Sequence, residues 1–531
     1  MKMSSSAKKP ISRRQACRLL FGSATLALTA PSGPAAGGTP IPGTGTAAGK
    51  TAKRGGTLKL AHGSDILSFE PSQFAGGNWP MFNQVYNVCV RLDDNLNPQP
   101  ELAESWQFSG DYRRLTLKLR QGVKFHSGRE FTAEDVVYNI KRILDPKLAA
   151  NALTLAQAFK TVEVRDKYTV VCGFDSYYAP ALDLFDMLFI IDREAEATLK
   201  RKGVGTGPFK VESWQPGEYV RLVRNENYWR QGLPYLDEII IRAMPDEQTM
   251  VIALGSGDID VAEAPPAREW VRMQKAGKMK TLMGPMATML DLAMNVGKPP
   301  LSNKKVRQAI AKALDRQRYI DLFLAGASAP QCVTYPPNSL GYDEQQNKSC
   351  MPDFDLKKAK SLLSEAGYPN GFDVQILTSV PGFSPYSKEI AEKLQADLKE
   401  IGIRATITHF EQAEARRRWF AKEFELGVHQ GGRFQRDPAT MFRATIFWPP
   451  DSNVMNFQSA EYTNLVKEAE SESDSKKRHE LYKKINAIVL DELWLVPLFP
   501  LYRLFALQPY VQGLSWNVEG QEILETVWLD R

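Results

Sequence analysis

The amino-acid sequence predicts a mixed α/β (α+β) protein of more than one domain, and three observations carry that reading. The chain has 531 residues, beyond the length at which a single hydrophobic core stops growing. Short runs of period-two alternation recur along it, the pattern of half-buried strands. Between them lie segments with apolar residues at helical spacing, opened by capping residues and closed by glycine. Such alternation throughout a chain means amphipathic helices packed on mixed sheets.

Thr57–Leu60, Leu115–Leu119, Tyr219–Val223 and Phe372–Leu377 read as strands. Thr132-Ala-Glu-Asp135 has the form of a capping box, and Val136, Ile140 and Ile143 follow on one helical face. Ser302 is expected to open a helix carrying Val306, Ala309, Ile310, Ala313 and Leu314 inward. Asp355 is positioned to cap a helix with Leu356, Ala359, Leu363 and Ala366 inward, stopped by Gly367. Ile390, Leu394, Leu398 and Ile401 mark another, stopped by Gly402. These stripes are read as core, not as binding surfaces.

Composition excludes several function classes. The chain is 43% hydrophobic and 24% charged, ordinary for a globular protein. Its net charge of +6 belongs to the first 52 residues, which hold seven basic side chains and no acid. The rest is close to neutral, with no basic footprint for nucleic acid. That leader runs from a polar basic start through Ser12-Arg13-Arg14 to an apolar stretch, Leu19–Ala30, too short to span a membrane. The order is that of a signal peptide, and the paired arginines are similar to a twin-arginine signal, although Ala16 stands where a large apolar residue is usual. Residues 31–54, rich in Gly, Pro, Thr and Ala, read as a flexible tether. Export and a periplasmic location are expected.

Of five cysteines, Cys332 and Cys350 could close a short loop in an oxidising compartment. Cys89 and Cys172 lie in apolar runs and read as buried thiols. No metal-ligand spacing occurs, and no metal or cofactor is expected. Gly43–Thr51 ends like a phosphate-binding loop but has Thr44 where glycine is required. Gly203-Val-Gly-Thr-Gly207 begins like a dinucleotide fingerprint but has Pro208 at the third glycine. There is no nucleophile elbow and no His-Glu-x-x-His, and the five histidines are scattered, so no catalytic residue is assigned.

One set of segments stands in a fixed order. Leu102-Ala-Glu-Ser-Trp106 is followed by Gly122-Val-Lys-Phe-His-Ser-Gly128 and Phe131-Thr-Ala-Glu-Asp-Val136. Then come Gly205-Thr-Gly-Pro-Phe209 with Trp214, Asn225-Glu-Asn-Tyr-Trp229, Pro234-Tyr-Leu-Asp237 and Gly257-Asp-Ile-Asp260. Val306-Arg-Gln-Ala-Ile310 with Asp315-Arg316, Glu365-Ala-Gly-Tyr-Pro369 and Asp437-Pro438 complete it. The series resembles the family 5 solute-binding proteins, the peptide, nickel and opine group of ABC importers. Residue by residue, Trp106 and Trp229 read as core aromatics, and Gly122, Gly205 and Gly207 as turns or close backbone approaches.

The resemblance implies a two-lobed periplasmic-binding-protein fold with a hinge and an extra subdomain in lobe I. Lobe I would span about 53–295, with the subdomain at about 88–203, and return at 506–531; lobe II would be 296–505. It implies a monomeric receptor that closes over a small solute (peptide-like, opine or oligosaccharide) and delivers it to the membrane permease subunits of an importer. Peptide-binding members carry an Asp three residues before the acid-Pro pair, and here that position is Phe434, which argues against ordinary free peptides. Gly431 leaves room beside it, and one of the flanking arginines, Arg433 or Arg436, could meet an anionic group. Asn78, Trp79, Asn295, Gln412 and Tyr502 complete the candidate ligand-binding set. The competing classes are a periplasmic hydrolase and a binding module without an importer.

Overall fold

Ten strands form the backbone of the molecule, and their order explains where a ligand can sit. A computed structural model describes residues 51–73, 78–349, 354–380, 386–431 and 437–531. The leader, Arg433, Phe434 and Cys350 lie outside the described residues. In chain order the strands are β1 (Thr57–His62), β2 (Phe209–Gln215), β3 (Tyr219–Arg224), β4 (Glu238–Ala243) and β5 (Val261–Glu263). They continue with β6 (Lys280–Met294), β7 (Asp373–Val380), β8 (Arg404–Glu411), β9 (Leu426–Gly431) and β10 (Leu495–Leu507). Their order across the sheet is β8-β7-β9-β6-β10-β5-β1-β4-β3-β2.

The two central strands are the longest, 15 residues in β6 and 13 in β10, and they pair antiparallel. The N-terminal part of β6 pairs with the C-terminal part of β10, Lys280 to Leu507 and Met283 to Leu504. Its other end pairs Thr288 with Leu501 and Ala293 with Leu495. Between Met283 and Thr288 the register shifts twice. A bulge bends a strand and breaks its ladder, so this stretch is the natural place for the sheet to flex.

Strands predicted from alternation are found, β1, β3 and β7 among them. Arg114–Leu119 lies in a separate four-stranded antiparallel sheet with Ala103–Phe108, Thr169–Gly173 and Thr161–Asp166. The helix Ala133–Ile143 begins at Thr132, whose N–H donates to Asp135 Oδ2 at 2.9 Å, closing the capping box. Asp355 caps Leu356–Glu365 by accepting from Lys358 N at 2.8 Å. One start differs. The helix expected from Ser302 runs Lys304–Lys312, and its N-cap is Asn303, whose Oδ1 accepts from Lys305 N at 3.0 Å. Two good cap formers stand side by side there, and the longer amide reaches the free N–H.

The motif residues meet one another. His126 N donates to Gly205 O (2.8 Å), and His126 Nε2 to Gly207 O (3.0 Å). Gly205 and Gly207 lie against the Gln84–Val85 backbone, where a Cβ would come within 2.2 Å and 2.5 Å of carbonyl oxygens. Trp229 packs against the buried core of residues 89–190 and donates from Nε1 to Asn87 Oδ1 at 3.1 Å. Trp106 packs on the same core. Cys89 and Cys172 are free and buried there, and burial pushes the Cys172 thiol up to about 12. Cys332 is disulfide-bonded.

Candidate ligand-binding cleft

Side chains of a strand alternate between faces, so the composition of each face locates the cores. One face carries a single apolar core running from β1 across the centre of the sheet to β7, through Ala61, Ala262, Leu290, Leu292, Leu426 and Ile376. The other face carries two separate cores. One gathers Leu58, Leu60, Ile239, Phe505 and Leu507. The second gathers Ala293, Leu377, Trp419, Trp494 and Leu495. Between them, on the central strands, Met289 and Tyr502 pack on each other and join neither core. The line between the two cores over the shared sheet is the candidate cleft, with buried Met289 and half-buried Tyr502 at its base.

Polar side chains flank that floor. On the β1 side, His62, Glu263 and Arg503 project from neighbouring strands on this face, beside Val261 and Phe505 of the same face. His62 Nδ1 lies 2.6 Å from Glu263 Oε2, and Ser64 Oγ lies 3.1 Å from His62 Nε2. Arg503 reaches Glu263 Oε1 at 3.7 Å, outside hydrogen-bond distance. Its guanidinium lies over the indole of Trp79, 4.3 Å from the ring centre. Glu522 is fully buried beside Glu263. Burial raises Glu263, but His62 and Arg503 outweigh it and hold the carboxyl below the usual carboxylate range. Burial and the Glu263 charge push the Glu522 carboxyl well above its ordinary range.

On the β9 side, Asp291 and His429 face each other across the β6–β9 ladder. Asp291 is fully buried and its Oδ2 lies 3.8 Å from His429 Nδ1. Burial raises the Asp291 carboxyl and lowers the His429 imidazole, and both shifts favour the neutral forms. The imidazole lies against Phe447, ring centres 3.5 Å apart, with Trp419 at 6.3 Å.

The candidate residues fall into three groups. Trp79, Gly431 and Tyr502 lie at the cleft: Trp79 against Arg503, Gly431 paired with Met289, and Tyr502 half-buried on the floor. Asn78 and Asn295 are buried and engaged by the protein. Asn78 Oδ1 accepts from Leu67 N at 2.8 Å. Asn295 donates to Lys422 O (3.1 Å) and Phe424 O (2.9 Å), and accepts from Gly297 N (3.1 Å) and Asn456 Nδ2 (2.8 Å). Four partners leave the Asn295 amide nothing to offer a ligand, so its role is to hold loops together. Gln412 is exposed at the start of the helix Gln412–Phe420. His62, Glu263, Arg503, Asp291 and His429 were missed from sequence. The acid inside the apolar run Leu290-Asp291-Leu292 was the one available signal.

Among the described residues, no three His, Cys, Asp or Glu side chains are grouped to hold a metal, and no helix is long and apolar enough to cross a membrane.

Comparison with known proteins decides the family. The model of the bacterial extracellular solute-binding proteins, family 5, matches residues 97–451. The chain belongs to this family. It is 31% identical over 483 residues to heme-binding protein A of Haemophilus influenzae, covering 84% of this chain and 87% of that one. It is 29% identical over 494 residues to the dipeptide-binding protein of Pseudomonas aeruginosa, covering 86% and 90%. Among solved structures, the periplasmic binding protein DppA of Helicobacter pylori, in complex with the peptide STSA, superposes with a TM-score of 0.77 at 28% identity. That match covers 90% of this chain and 99% of that one. HbpA2 of Haemophilus parasuis gives 0.76 at 27%, covering 89% and 100%. The chain is thus a two-lobed substrate-binding protein of the ABC-importer type, and the family is one of solute-binding proteins rather than enzymes. Hinge closure over a small solute follows from the fold.

Proposed function

We propose that this protein is a periplasmic receptor for a small polar carboxylic acid of the peptide or opine kind, which it hands to the permease subunits of an importer. The observation that carries this is the floor of Met289 and Tyr502, set between two separate cores and flanked by charged side chains. An apolar floor with a few polar groups on its rim is the usual form of a small-molecule site. The relatives' names support the substrate class: a dipeptide-binding protein, a glutathione-binding protein, and the binding protein MoaA in complex with mannopinic acid, 26% identical to this chain. In this reading the lobes are 53–295 with 506–531, and 296–505, and β6 and β10 carry the chain between them. Trp79, Gly431 and Tyr502 face the solute, and Arg433 and Phe434 remain candidates for contacting it. The receptor acts as a monomer, turns nothing over, and reaches the periplasm by its N-terminal leader.

Native mass spectrometry of protein purified from the periplasm tests the reading. The expected result is an added mass of a few hundred daltons that disappears on denaturation and matches a carboxylic acid. A retained mass that shrinks with incubation, showing turnover, would favour a hydrolase and overturn it.

A further inference from the structure

Two hydrogen-bond donors at the cleft are buried without a partner, and they lie on side chains stacked together. They are Trp79 Nε1 and Arg503 Nε. Buried polar atoms in folded proteins are overwhelmingly paired, so two orphans in contact call for an explanation. The surrounding acids do not supply one. Glu263 is engaged by His62 at 2.6 Å and reaches Arg503 only at 3.7 Å. Burial and the Glu263 charge both disfavour a second negative charge on Glu522.

The position is built. Arg503 comes from β10 next to Tyr502 of the floor, where the β6 register shifts. Glycines make room for its stem: a Cβ at Gly520 would lie 2.5 Å from Arg503 Cγ, and one at Gly284 would lie 3.2 Å from Arg503 Cβ. The Trp79 indole covers one face of the guanidinium and fixes its plane. A rigid guanidinium fork beside an indole N–H is a donor set suited to a planar anion with two oxygens.

We propose that Arg503 and Trp79 form the subsite that takes a carboxylate of the transported solute. The subsite rests on the receptor reading above and adds the residues that select for acids. The carboxylate accepts from Arg503 Nε and Trp79 Nε1 together, at the strand that bends on closure. Binding the acid therefore fixes the hinge side of the cleft first.

The test is made on the purified chain with acetate as the probe. The indole N–H resonance of Trp79 is assigned by its disappearance in Trp79→Phe. Sodium acetate, added at constant ionic strength, is expected to move that resonance saturably, while methylammonium chloride leaves it in place. Arg503→Met is expected to weaken the acetate response by about tenfold or more, since the charged donor is gone. Trp79→Phe keeps the ring over Arg503 and is expected to melt like the parent while binding the retained solute several-fold more weakly. The proposal is overturned if acetate leaves the resonance unmoved, or moves it equally in Arg503→Met. A retained solute mass with no acetate response would sink the subsite alone. Absence of both would sink the receptor reading with it.

Discussion

At the scale of single residues, the chain shows which positions hold the receptor together by close packing. Gly207 is one of them. Its N–H donates to Val85 O at 3.0 Å, and a Cβ would sit 2.5 Å from Gln84 O. Neither neighbour is a movable side-chain end, so Gly207→Ala should cost about 3 kcal/mol. Gly255, in an exposed helical turn where an added Cβ would meet nothing within 4 Å, is the control. Ala there should be neutral or stabilising, because glycine is the poorer helix former. Thermal melts of the two variants decide it, and equal melting would remove the close-packing argument. Legibility divides by residue type. The glycines could be read as close approaches because few other roles suit glycine. Asn295 was expected near the pocket, but an amide looks the same in sequence whether it meets a ligand or four protein partners. Arg503 carried no sign at all, since nothing in Leu501-Tyr-Arg-Leu504 shows an indole lying over it.

At the scale of elements, local rules carried the helices and failed at the centre of the sheet. The capping box at Thr132, the Asp355 cap and the stops at Gly367 and Gly402 are all found, because caps are decided within a turn of chain. Asn303 replaced Ser302 at a cap by one residue, a choice between neighbours that propensity does not settle. The register shifts in β6 depend instead on β10, more than two hundred residues downstream in sequence. Alternation within one strand gives its faces but not its partner, so these register shifts were not visible. The same limit hid the His62–Glu263 and Asp291–His429 pairs. Each joins residues of different strands, and scattered histidines gave no reason to expect an acid opposite.

At the scale of the whole molecule, side chains and backbone of residues 94–183 meet the C-terminal part of the chain, and on the receptor reading these contacts latch the closed form. Asp183 Oδ2 accepts from Thr440 Oγ1 at 2.6 Å and from Asp437 N at 3.2 Å. Ala179 N donates to Glu470 O (3.1 Å), and Asn338 Nδ2 to Asp94 O (2.6 Å). Asp437 is answered by Arg478, Nε to Oδ2 at 3.0 Å, and by the Tyr482 hydroxyl. Among the described residues no cation forms an ion pair with Asp183; Asp437 and Asp186 act on it as acids, with Tyr178, Glu470 and Arg443 nearby. Burial and the Asp437 charge push the Asp183 carboxyl up to about 8. Opening removes the Asp437 charge and part of the burial, which lowers the carboxyl from that value, so closing takes up a proton. Closure is therefore most favoured in acid and loses stability as the pH rises toward 8, with no further loss from this group above that. Solute affinity is expected to fall as pH rises from 6 to 8, and Asp183→Asn, which keeps an acceptor without the charge, should flatten that fall. Calorimetry across this range checks it; an identical slope in the variant would take Asp183 out of the latch.

The central claim is that the two lobes close over a solute held on the floor between their cores. Spin labels at the exposed positions 164 and 420, one in the subdomain sheet and one at the end of the Gln412–Phe420 helix, report the distance across the cleft. Adding back the solute released from the purified protein should shorten and narrow the distance distribution relative to the stripped protein. An unchanged distribution, with the solute bound by mass, would contradict the account.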